Sequence, residues 1–266
     1  MGNDIWKISD LTPYFDETVD TDRIYIHQCL ASTNDTSKDM AKEGCVHGTV
    51  VIANKQTAGR GRFNRNFYSP EGTGLYMSVV LDADKLGLKE YTLLTPLVAV
   101  VVSRVIHSKT GKNCGIKWVN DLYIEDKKIC GILTEGVMNE GTLDKFVVGI
   151  GINIGTSEFP TELKTIAGAI VNEGDEWSIR NEITAGLINE LTKENLFEEY
   201  ESYMREYMDK QILIEKTVNV LDIKENYVAK VIGVDSKGCL QVVRLEGDNA
   251  GKMESLNSGE VSIRRI

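Results

Sequence analysis

The densest run of groups that could do chemistry is Gly59-Arg60-Gly61-Arg62-Phe63-Asn64-Arg65-Asn66-Phe67, which holds three arginines and two glycines. Glycine lets a backbone approach a ligand closely, and arginine offers a planar, permanently charged donor for phosphate or carboxylate. The whole chain carries a net charge of -10, so this cation cluster is local. The segment predicts an anion-binding loop, and a solvated basic loop is the alternative. A P-loop is not indicated, because no Gly-Lys-Ser/Thr follows.

The elements on either side of this segment must hold it in place. Ile24–His27 alternates like a short strand, and Ser32-Thr33-Asn34-Asp35 offers a helix N-cap with a carboxylate three residues later. That helix is predicted to stop at Gly44. The β-branched run 48–53 and the run 75–81 read as strands. The cationic segment is therefore predicted to be a loop between two strands.

The pattern after residue 81 predicts a mixed α+β fold. Leu88 to His107 is apolar nearly all round, which indicates a buried helix. Further elements follow in the chain: a strand at 115–119, a corner at Asn120-Asp121, a hairpin around 125–128, a buried strand at 146–154 and helical periodicity over 179–209. From Gln211 onward short alternating strands and turns predict a small β-barrel. We expect a catalytic domain over 1–210 and a C-terminal β domain over 211–266.

Composition and charge narrow the function classes. With 42% hydrophobic and 26% charged residues, the chain should bury a core. Its acidic balance argues against general binding to nucleic acid or anionic membranes. The first residues lack a signal-peptide pattern and no apolar run reaches about 18 residues, so we expect a cytoplasmic protein. The five cysteines include no C-x-x-C pair and are expected to be reduced thiols.

Several ordered motifs resemble those of the biotin protein ligases, also called biotin–[acetyl-CoA-carboxylase] ligases. The resemblance covers about residues 24 to 266. Its motifs are Ser32-Thr33-Asn34, Gln56-Thr57-Ala58-Gly59-Arg60-Gly61-Arg62, Lys117-Trp118-Val119-Asn120-Asp121-Leu122-Tyr123, Lys128-Ile129-Cys130-Gly131-Ile132-Leu133 and Gly149-Ile150-Gly151-Ile152-Asn153. The resemblance implies a class II synthetase-like, biotin/lipoate ligase catalytic domain with a mixed sheet, and a small SH3-like β-barrel after it.

The family resemblance also implies a two-step reaction with ATP and biotin as substrates and Mg²⁺ as a cofactor. Biotin's carboxylate attacks the α-phosphate of ATP to give biotinyl-5′-adenylate, and a lysine of a biotin carboxyl carrier protein then displaces AMP. The implied biotin-contacting residues are Ser32, Thr33, Asn34, Gln56, Gly59, Arg60, Gly61, Arg62 and Lys128. For Ser32, helix capping is an alternative that could hold alongside ligand binding.

The implied catalytic groups are Lys128, Arg62 and Asp121. A lysine ammonium could hold the biotin carboxyl group and spread charge in the transition state. Asp121 either holds Mg²⁺ or orients Lys128, and both roles stay open. The resemblance places a further set near the nucleotide: Arg65, Phe67, Lys117, Asn120, Asn153 and Arg264. Trp118 is expected to pack in the core.

The chain departs from the family pattern at three positions. Val119 stands where proline is usual, Phe63 where many members carry a basic or small residue, and Phe67 where tryptophan is usual. A phenyl ring can still stack on adenine, with less area than an indole. These departures put nucleotide affinity in doubt more than chemistry.

Three other functions are open to a chain with these motifs, and the motifs also imply partners. Members with a winged-helix domain repress transcription, but no basic helix-turn-helix pattern precedes Ile24, so we expect no DNA binding. A lipoate or octanoate ligase of the same fold is the nearest rival, and a biotin sensor without catalysis is the other. The expected partner is a carrier domain of acetyl-CoA carboxylase or a similar carboxylase, with no membrane. Homodimerisation stays open.

Overall fold

The computed structural model describes residues 6–172, 174, 176–222, 225–257 and 261–265, with backbone alone for Asn64, Asp222 and 261–265. Its strands are β1 Ile24–His27, β2 Thr49–Ala53, β3 Gly74–Asp82, β4 Gly115–Lys117, β5 Asp121–Ile124, β6 Lys127–Asn139, β7 Thr142–Asn153, β8 Thr217–Asp222, β9 Asn226–Val234, β10 Leu240–Arg244, β11 Met253–Leu256 and β12 Val261–Arg265. Its helices are α1 Thr33–Lys42, α2 Leu94–Thr110, α3 Glu176–Leu191 and α4 Tyr200–Asp209.

A seven-stranded mixed sheet forms the larger part of the molecule, in the order β1-β2-β3-β7-β6-β5-β4. Only β1 and β2 pair in parallel, and the remaining neighbours are antiparallel. Successive side chains of a strand point to opposite faces. Val79 and Val148 pack in the main core, which includes residues of α2 and α3, whereas Val80 and Val147 pack with Ala41 of α1. Helix α1 thus covers one face, and α2 and α3 cover the other.

Two predicted helices differ from the observed ones. Helix α2 begins at Leu94 and not at Leu88, with a 3-10 turn at Tyr91–Leu93 before it. Pro96 explains the late start, because proline fits the first turn of a helix but would break a bond in its third. The predicted helix over 179–209 is interrupted between α3 and α4. There Asn195 has a φ of 55° and its N–H donates to the Lys85 carbonyl at 2.8 Å.

Residues Tyr91–Thr110 are long and apolar enough to cross a membrane by length and composition, and 67% of the most apolar stretch is buried inside the protein. The sequence pattern predicts no apolar run long enough to span a membrane. A core helix passes the same test, and α2 packs against α3, α4 and β6. The helix is therefore weak support for a membrane span.

The C-terminal strands form a separate sheet of five antiparallel strands in the order β11-β10-β9-β8-β12. Among the residues that the structure describes, no ladder joins β11 to β12, so the predicted closed barrel is not found and the sheet is open. The indole Nε1 of Trp118 donates to the Gly238 carbonyl at 2.9 Å, which ties this sheet to the larger one. Buried side chains of both sheets belong to one cluster. The proposed boundary at 210/211 stays a prediction.

A buried arginine fixes both ends of the segment that carries the cationic loop. Arg180 of α3 is fully buried, and its Nη1 donates to Asn54 Oδ1 at 2.9 Å and to the Gly72 carbonyl at 3.4 Å. Its guanidinium carbon lies 3.6 Å from the ring centroid of Trp6. Burial lowers the pKa of Arg180 to about 10, which leaves it charged at neutral pH. Residues 54 and 72 are therefore held to the core while the loop between them reaches outward.

The link between the sheets can be tested by replacing Trp118. Trp118→Phe leaves the buried Gly238 carbonyl without its donor, which should lower the free energy of unfolding by about 1–3 kcal/mol. Urea denaturation of both proteins measures the change. Trp177→Phe is the matched control, since Trp177 is 40% exposed and its loss should cost less than about 0.5 kcal/mol. Equal stability of the Trp118 variant and the parent would contradict the link.

Candidate functional site

A single cavity of about 730 Å³ brings together most of the predicted site residues. It lies on the α1 side of the large sheet, and its volume suits a small-molecule ligand. Of the predicted residues it is lined by Ser32, Thr33, Asn34, Gln56, Arg60, Gly61, Arg62, Arg65, Phe67, Lys117, Asn120, Asp121, Lys128 and Asn153. Gly59 does not line it. The backbone of Arg264 is in β12, but its side chain lies outside the described residues.

The floor of the cavity is made by three glycines on two neighbouring strands. Gly131 of β6 pairs with Gly151 of β7, and Gly149 lies two residues before Gly151, so all three face the same side. A Cβ on Gly149 would overlap the Asn34 amide, and one on Gly151 would overlap the Phe67 ring. The missing side chains therefore make the space that Asn34 and Phe67 occupy.

One end of the cavity carries neutral hydrogen-bonding groups. Gln56 Oε1 accepts from the Thr33 backbone N–H at 2.8 Å, and its amide nitrogen donates to Ser69 Oγ at 3.0 Å. The amide nitrogen of Asn34 donates to the Leu133 carbonyl at 3.2 Å. Asn34 Oδ1 lies 2.7 Å from Ser78 Oγ. Neighbouring polar atoms thus fix the rotamers of the Gln56 and Asn34 side chains before any ligand binds.

Ser32 is the N-cap residue of α1, as the sequence predicts, but its hydroxyl makes no capping hydrogen bond. The side chain is buried and lines the cavity. A buried hydroxyl without a capping role is free to serve a ligand at this end of the site.

The cationic loop folds back on itself between β2 and β3, as predicted. Arg60 and Asn66 form an antiparallel bridge, and the Phe67 N–H donates to the Gly59 carbonyl at 2.8 Å. A Cβ on Gly59 would meet the Phe67 carbonyl and Ser69 Oγ, so Gly59 is required for this close turn. The exposed Phe63 at the tip has a φ of 54°, a conformation that favours glycine.

The three arginines of the loop have different surroundings. Arg60 forms ion pairs with Asp35 and Glu135. Arg62 lies with Nη1 3.4 Å from Asn120 Oδ1, and burial lowers the pKa of its guanidinium group while nearby Asp121 opposes that shift. Arg65 is exposed, with its guanidinium carbon 5.9 Å from the Phe63 ring centroid. Only Arg62 is placed to act as a desolvated cation in the cavity.

Lys128 and Asp121 form an ion pair at the cationic end of the cavity. Lys128 Nζ lies 2.7 Å from Asp121 Oδ1, without the alignment of a hydrogen bond, and the two side chains are 31% and 22% exposed. Strands β5 and β6 bring them together across a register shift between Leu122 and Tyr123. Of the two roles left open for Asp121, this arrangement favours orienting Lys128.

The asparagines of the site hold backbone atoms. Asn120 Nδ2 donates to the Ile132 carbonyl at 2.8 Å, and Asn153 Nδ2 donates to the Gly168 carbonyl at 3.0 Å. The Trp118–Val119 peptide bond before this corner is cis. Phe67 lies against Gly131 and Gly151, and its ring meets Tyr76 edge-on at 6.4 Å.

The sequence interpretation missed one whole wall of the cavity. The segment 159–167 contributes Phe159, Leu163, Ile166 and Ala167, and Ala167 bridges to Lys128. Ile212 and Leu213 add a contact from the start of the C-terminal part, and Trp118 lines the cavity while 5% exposed. The only signal for the missed wall was the spacing of Leu163, Ile166 and Ile170. No group of three or more metal-ligating side chains occurs within the described residues.

Two protein-family models match this chain, and together they cover most of the residues that line the cavity. The biotin/lipoate A/B protein ligase family model matches residues 26–153, and the biotin protein ligase C-terminal domain model matches 213–264. The bifunctional ligase/repressor BirA of Bacillus subtilis (strain 168) is 35% identical over 232 residues, which cover 83% of this chain and 69% of the relative. The chain belongs to the biotin protein ligase family.

Other members of the ligase family agree with this assignment. The biotin–[acetyl-CoA-carboxylase] ligase of Mycobacterium tuberculosis is 30% identical over 179 residues, which cover 61% of each chain. The solved biotin protein ligase of Aquifex aeolicus in complex with biotin and ATP is 27% identical, with a TM-score of 0.73, covering 91% of this chain and 99% of that one. The expected ligase fold is thereby confirmed, with a mixed sheet and a separate small C-terminal sheet but no closed barrel among the described residues.

The glycine floor of the ligase can be tested at Gly149. Gly149→Ala should lower the free energy of unfolding by about 1–3 kcal/mol, because the new methyl group overlaps the Asn34 amide. Chemical denaturation measures this loss. Gly233→Ala is the control, since a Cβ at that strand position meets nothing within 4 Å.

A double variant shows whether the overlap is with Asn34 itself. In Gly149→Ala/Asn34→Ala the cost should be smaller than the sum of the two single changes, because the clashing amide is gone. Additive losses would place the strain elsewhere.

Proposed function

We propose that this protein activates biotin with ATP to form biotinyl-5′-AMP and then transfers the biotinyl group to a lysine of a biotin carboxyl carrier protein. The observation that supports this most is a single cavity with a neutral amide and hydroxyl end and a cationic end. Biotin has the matching halves, a neutral ureido ring and a carboxylate. The Aquifex aeolicus relative, whose structure holds biotin and ATP, adds support.

The neutral end suits the ureido ring. Such a ring offers one carbonyl acceptor and two N–H donors. The Ser32 hydroxyl can donate to the carbonyl, and Asn34 Oδ1 retains a lone pair for an N–H. From Gly149 to Gly151 the strand advances about 7 Å, which carries the ligand chain from Asn34 toward Phe67 and Lys128.

The cationic end suits the first chemical step. A carboxylate oxygen of biotin attacks the α-phosphorus of ATP, the P–O bond to pyrophosphate breaks, and pyrophosphate leaves. The Lys128 ammonium group holds the attacking carboxylate, with Asp121 fixing its position at 2.7 Å. Arg62 of the loop, next to Asn120, adds a second cation. Fixed cations offset the negative charge that gathers on the reacting oxygens.

The second step needs shielding more than charge. A neutral lysine amine attacks the acyl carbon, the bond to AMP breaks, and the amine loses a proton. Water would hydrolyse the mixed anhydride, so the loop 59–67 must cover it until the amine arrives. Its ends are anchored by Asn54 and Gly72 on Arg180, which leaves the tip at Phe63 as the part that can close.

The described carboxylates do not form a cage for Mg²⁺. No metal-ligating cluster is found among them, and Asp121 is already paired with Lys128. Mg²⁺ usually keeps several waters and binds through substrate phosphates with one or two carboxylates. Within the described residues, the site therefore does not fit a metal ion held by protein ligands alone.

A lipoate or octanoate ligase is the second candidate, because the matching catalytic family model covers both classes. The match of the C-terminal domain model of biotin protein ligases favours biotin. Exchange of labelled pyrophosphate into ATP should depend on biotin and not on lipoate or octanoate. Transfer is then followed by mass spectrometry of an added carrier domain. Absence of exchange with all three acids would favour the non-catalytic sensor.

Replacing the proposed carboxylate-binding cation should slow adenylate formation. Lys128→Ala is expected to reduce biotin-dependent pyrophosphate exchange by about 10²–10³-fold, since one pre-positioned charge partner of the transition state is lost. Lys109→Ala, on the exposed end of α2, is the control and should leave the rate unchanged. Unaltered exchange in the Lys128 variant would mean that another group holds the carboxylate.

The role of Asp121 can be separated from metal binding. Asp121→Asn should lower the exchange rate by about tenfold, less than the loss of Lys128, because the ammonium group remains but is no longer aligned. The rate is measured over a titration of Mg²⁺. If Asp121 only orients Lys128, added Mg²⁺ does not restore the lost rate, whereas restoration would make Asp121 a metal ligand.

A further inference from the structure

The carboxylate of Glu135 lies in the middle of β6, away from the Lys128 end, and accepts from three donors. Its Oε2 accepts from Asn34 Nδ2 at 3.0 Å, and its Oε1 accepts from Lys38 and from Arg60 Nη2, each at 3.0 Å. These donors belong to the first turn of α1, the middle of α1 and the arginine loop. One side chain therefore joins the neutral end of the cavity to the loop that covers it.

The contact with Asn34 sets which way its amide faces. Both hydrogens of Asn34 Nδ2 point to acceptors, the Leu133 carbonyl and Glu135 Oε2. A carboxylate can only accept, so it excludes the flipped amide, which would turn Oδ1 toward it. Asn34 Oδ1 is consequently held over Gly149, next to Ser78, as an acceptor.

The contact between Glu135 and Arg60 holds the first residues of the arginine loop. The guanidinium group lies between Glu135 and Asp35, with Nη2 on the former and Nη1 on the latter. Arg60 lines the cavity, and its two ion pairs hold its guanidinium group in place. Burial alone would raise the pKa of Glu135, but the hydrogen bonds from Asn34 and Lys38 and the charges of Lys38 and Arg60 bring it below its usual value. The carboxylate thus stays ionised at neutral pH.

We propose that Glu135 is a positioning residue that couples recognition of the ligand head by Asn34 to the placement of the arginine loop by Arg60. The coupling rests on the proposed function, since it takes biotin as the ligand. Glu135 lies away from Lys128 and does not contact the reacting carboxylate or the phosphate. Glu135 fixes Asn34 Oδ1 as a hydrogen-bond acceptor and ties residue 60 to the sheet. The neutral end of the cavity and the loop therefore depend on the same charge.

Two substitutions at Glu135 separate these effects in the full-length protein. Glu135→Gln keeps a carbonyl for Asn34 but removes the charge that holds Arg60, so it should raise the tryptic cleavage rate within 59–67 about fivefold and change the biotin Kd less than threefold. Glu135→Ala removes both contacts and should also weaken biotin binding by about tenfold or more. Calorimetry gives the Kd, and mass spectrometry of timed digests gives the cleavage rate.

Two further variants complete the test. Asp35→Asn removes the second charge partner of Arg60 and a 3.6 Å ion pair with Lys38, and it leaves the contact of Glu135 with Asn34 in place. It should raise loop cleavage while the biotin Kd changes less than about threefold, and it serves if the alanine variant fails to fold. Asp39→Asn is the control, because Asp39 pairs with Lys42 on the exposed side of the same helix. It should match the parent in both measurements.

The outcomes distinguish this inference from the proposed function. If the parent binds biotin and Glu135→Ala has the parent's Kd and cleavage rate, the coupling is wrong. If only one of the two quantities changes in that variant, Glu135 serves one partner and the coupling is again wrong. If the parent itself binds no biotin, the proposed function fails, while the cleavage rates still decide whether Glu135 holds the loop. A rise in the biotin KM without a matching fall in kcat would mark the role as positioning.

Discussion

The site depends on the absence of side chains at Gly131, Gly149 and Gly151, on adjacent strands of one sheet face. Interior strands of a mixed sheet are normally covered on both faces. An uncovered patch of sheet therefore requires positions that carry no side chain. Here the vacated space admits the Asn34 amide and the Phe67 ring and leaves a cavity of about 730 Å³ beside them. The polar end, the loop and the Lys128 end are all placed relative to this floor.

Charge is organised in pairs around that floor. The chain has a net charge of -10, yet cations meet at the cavity because individual carboxylates hold them. Asp121 holds Lys128, whereas Glu135 and Asp35 hold Arg60. Arg62 is half-buried near Asn120, and burial lowers its pKa while nearby Asp121 opposes that shift. A ligand with a carboxylate and a phosphate would bring anionic groups to these cations.

The supports of the loop lie far from it in sequence. Arg180 of α3, stacked on Trp6, fastens residues 54 and 72, and Glu135 of β6 fastens residue 60. Between these points Phe63 at the tip is 50% exposed, and the Arg62 guanidinium carbon lies 4.9 Å from its ring centroid. A firm base with a lightly held tip is what a cover over a reactive intermediate requires.

The sequence alone determined the local elements and the chemical groups. Strands β1, β2 and β3, helix α1 and the loop between β2 and β3 followed from periodicity and capping, because these patterns reflect which face of an element is buried. The motifs indicated the family and most of the polar residues that line the cavity. Tertiary structure decided the rest. Only the register of β6 on β7 aligns three glycines, and only packing brings Glu135, Arg180 and the segment 159–167 to the site. The contacts of Glu135 with Arg60 and of Arg180 with Asn54 join residues 75 and 126 positions apart, and no local pattern encodes them. The same limit explains the late start of α2 and the break before α4, where Pro96 and pairing with residues 85 and 86 override an apolar pattern that reads as helix.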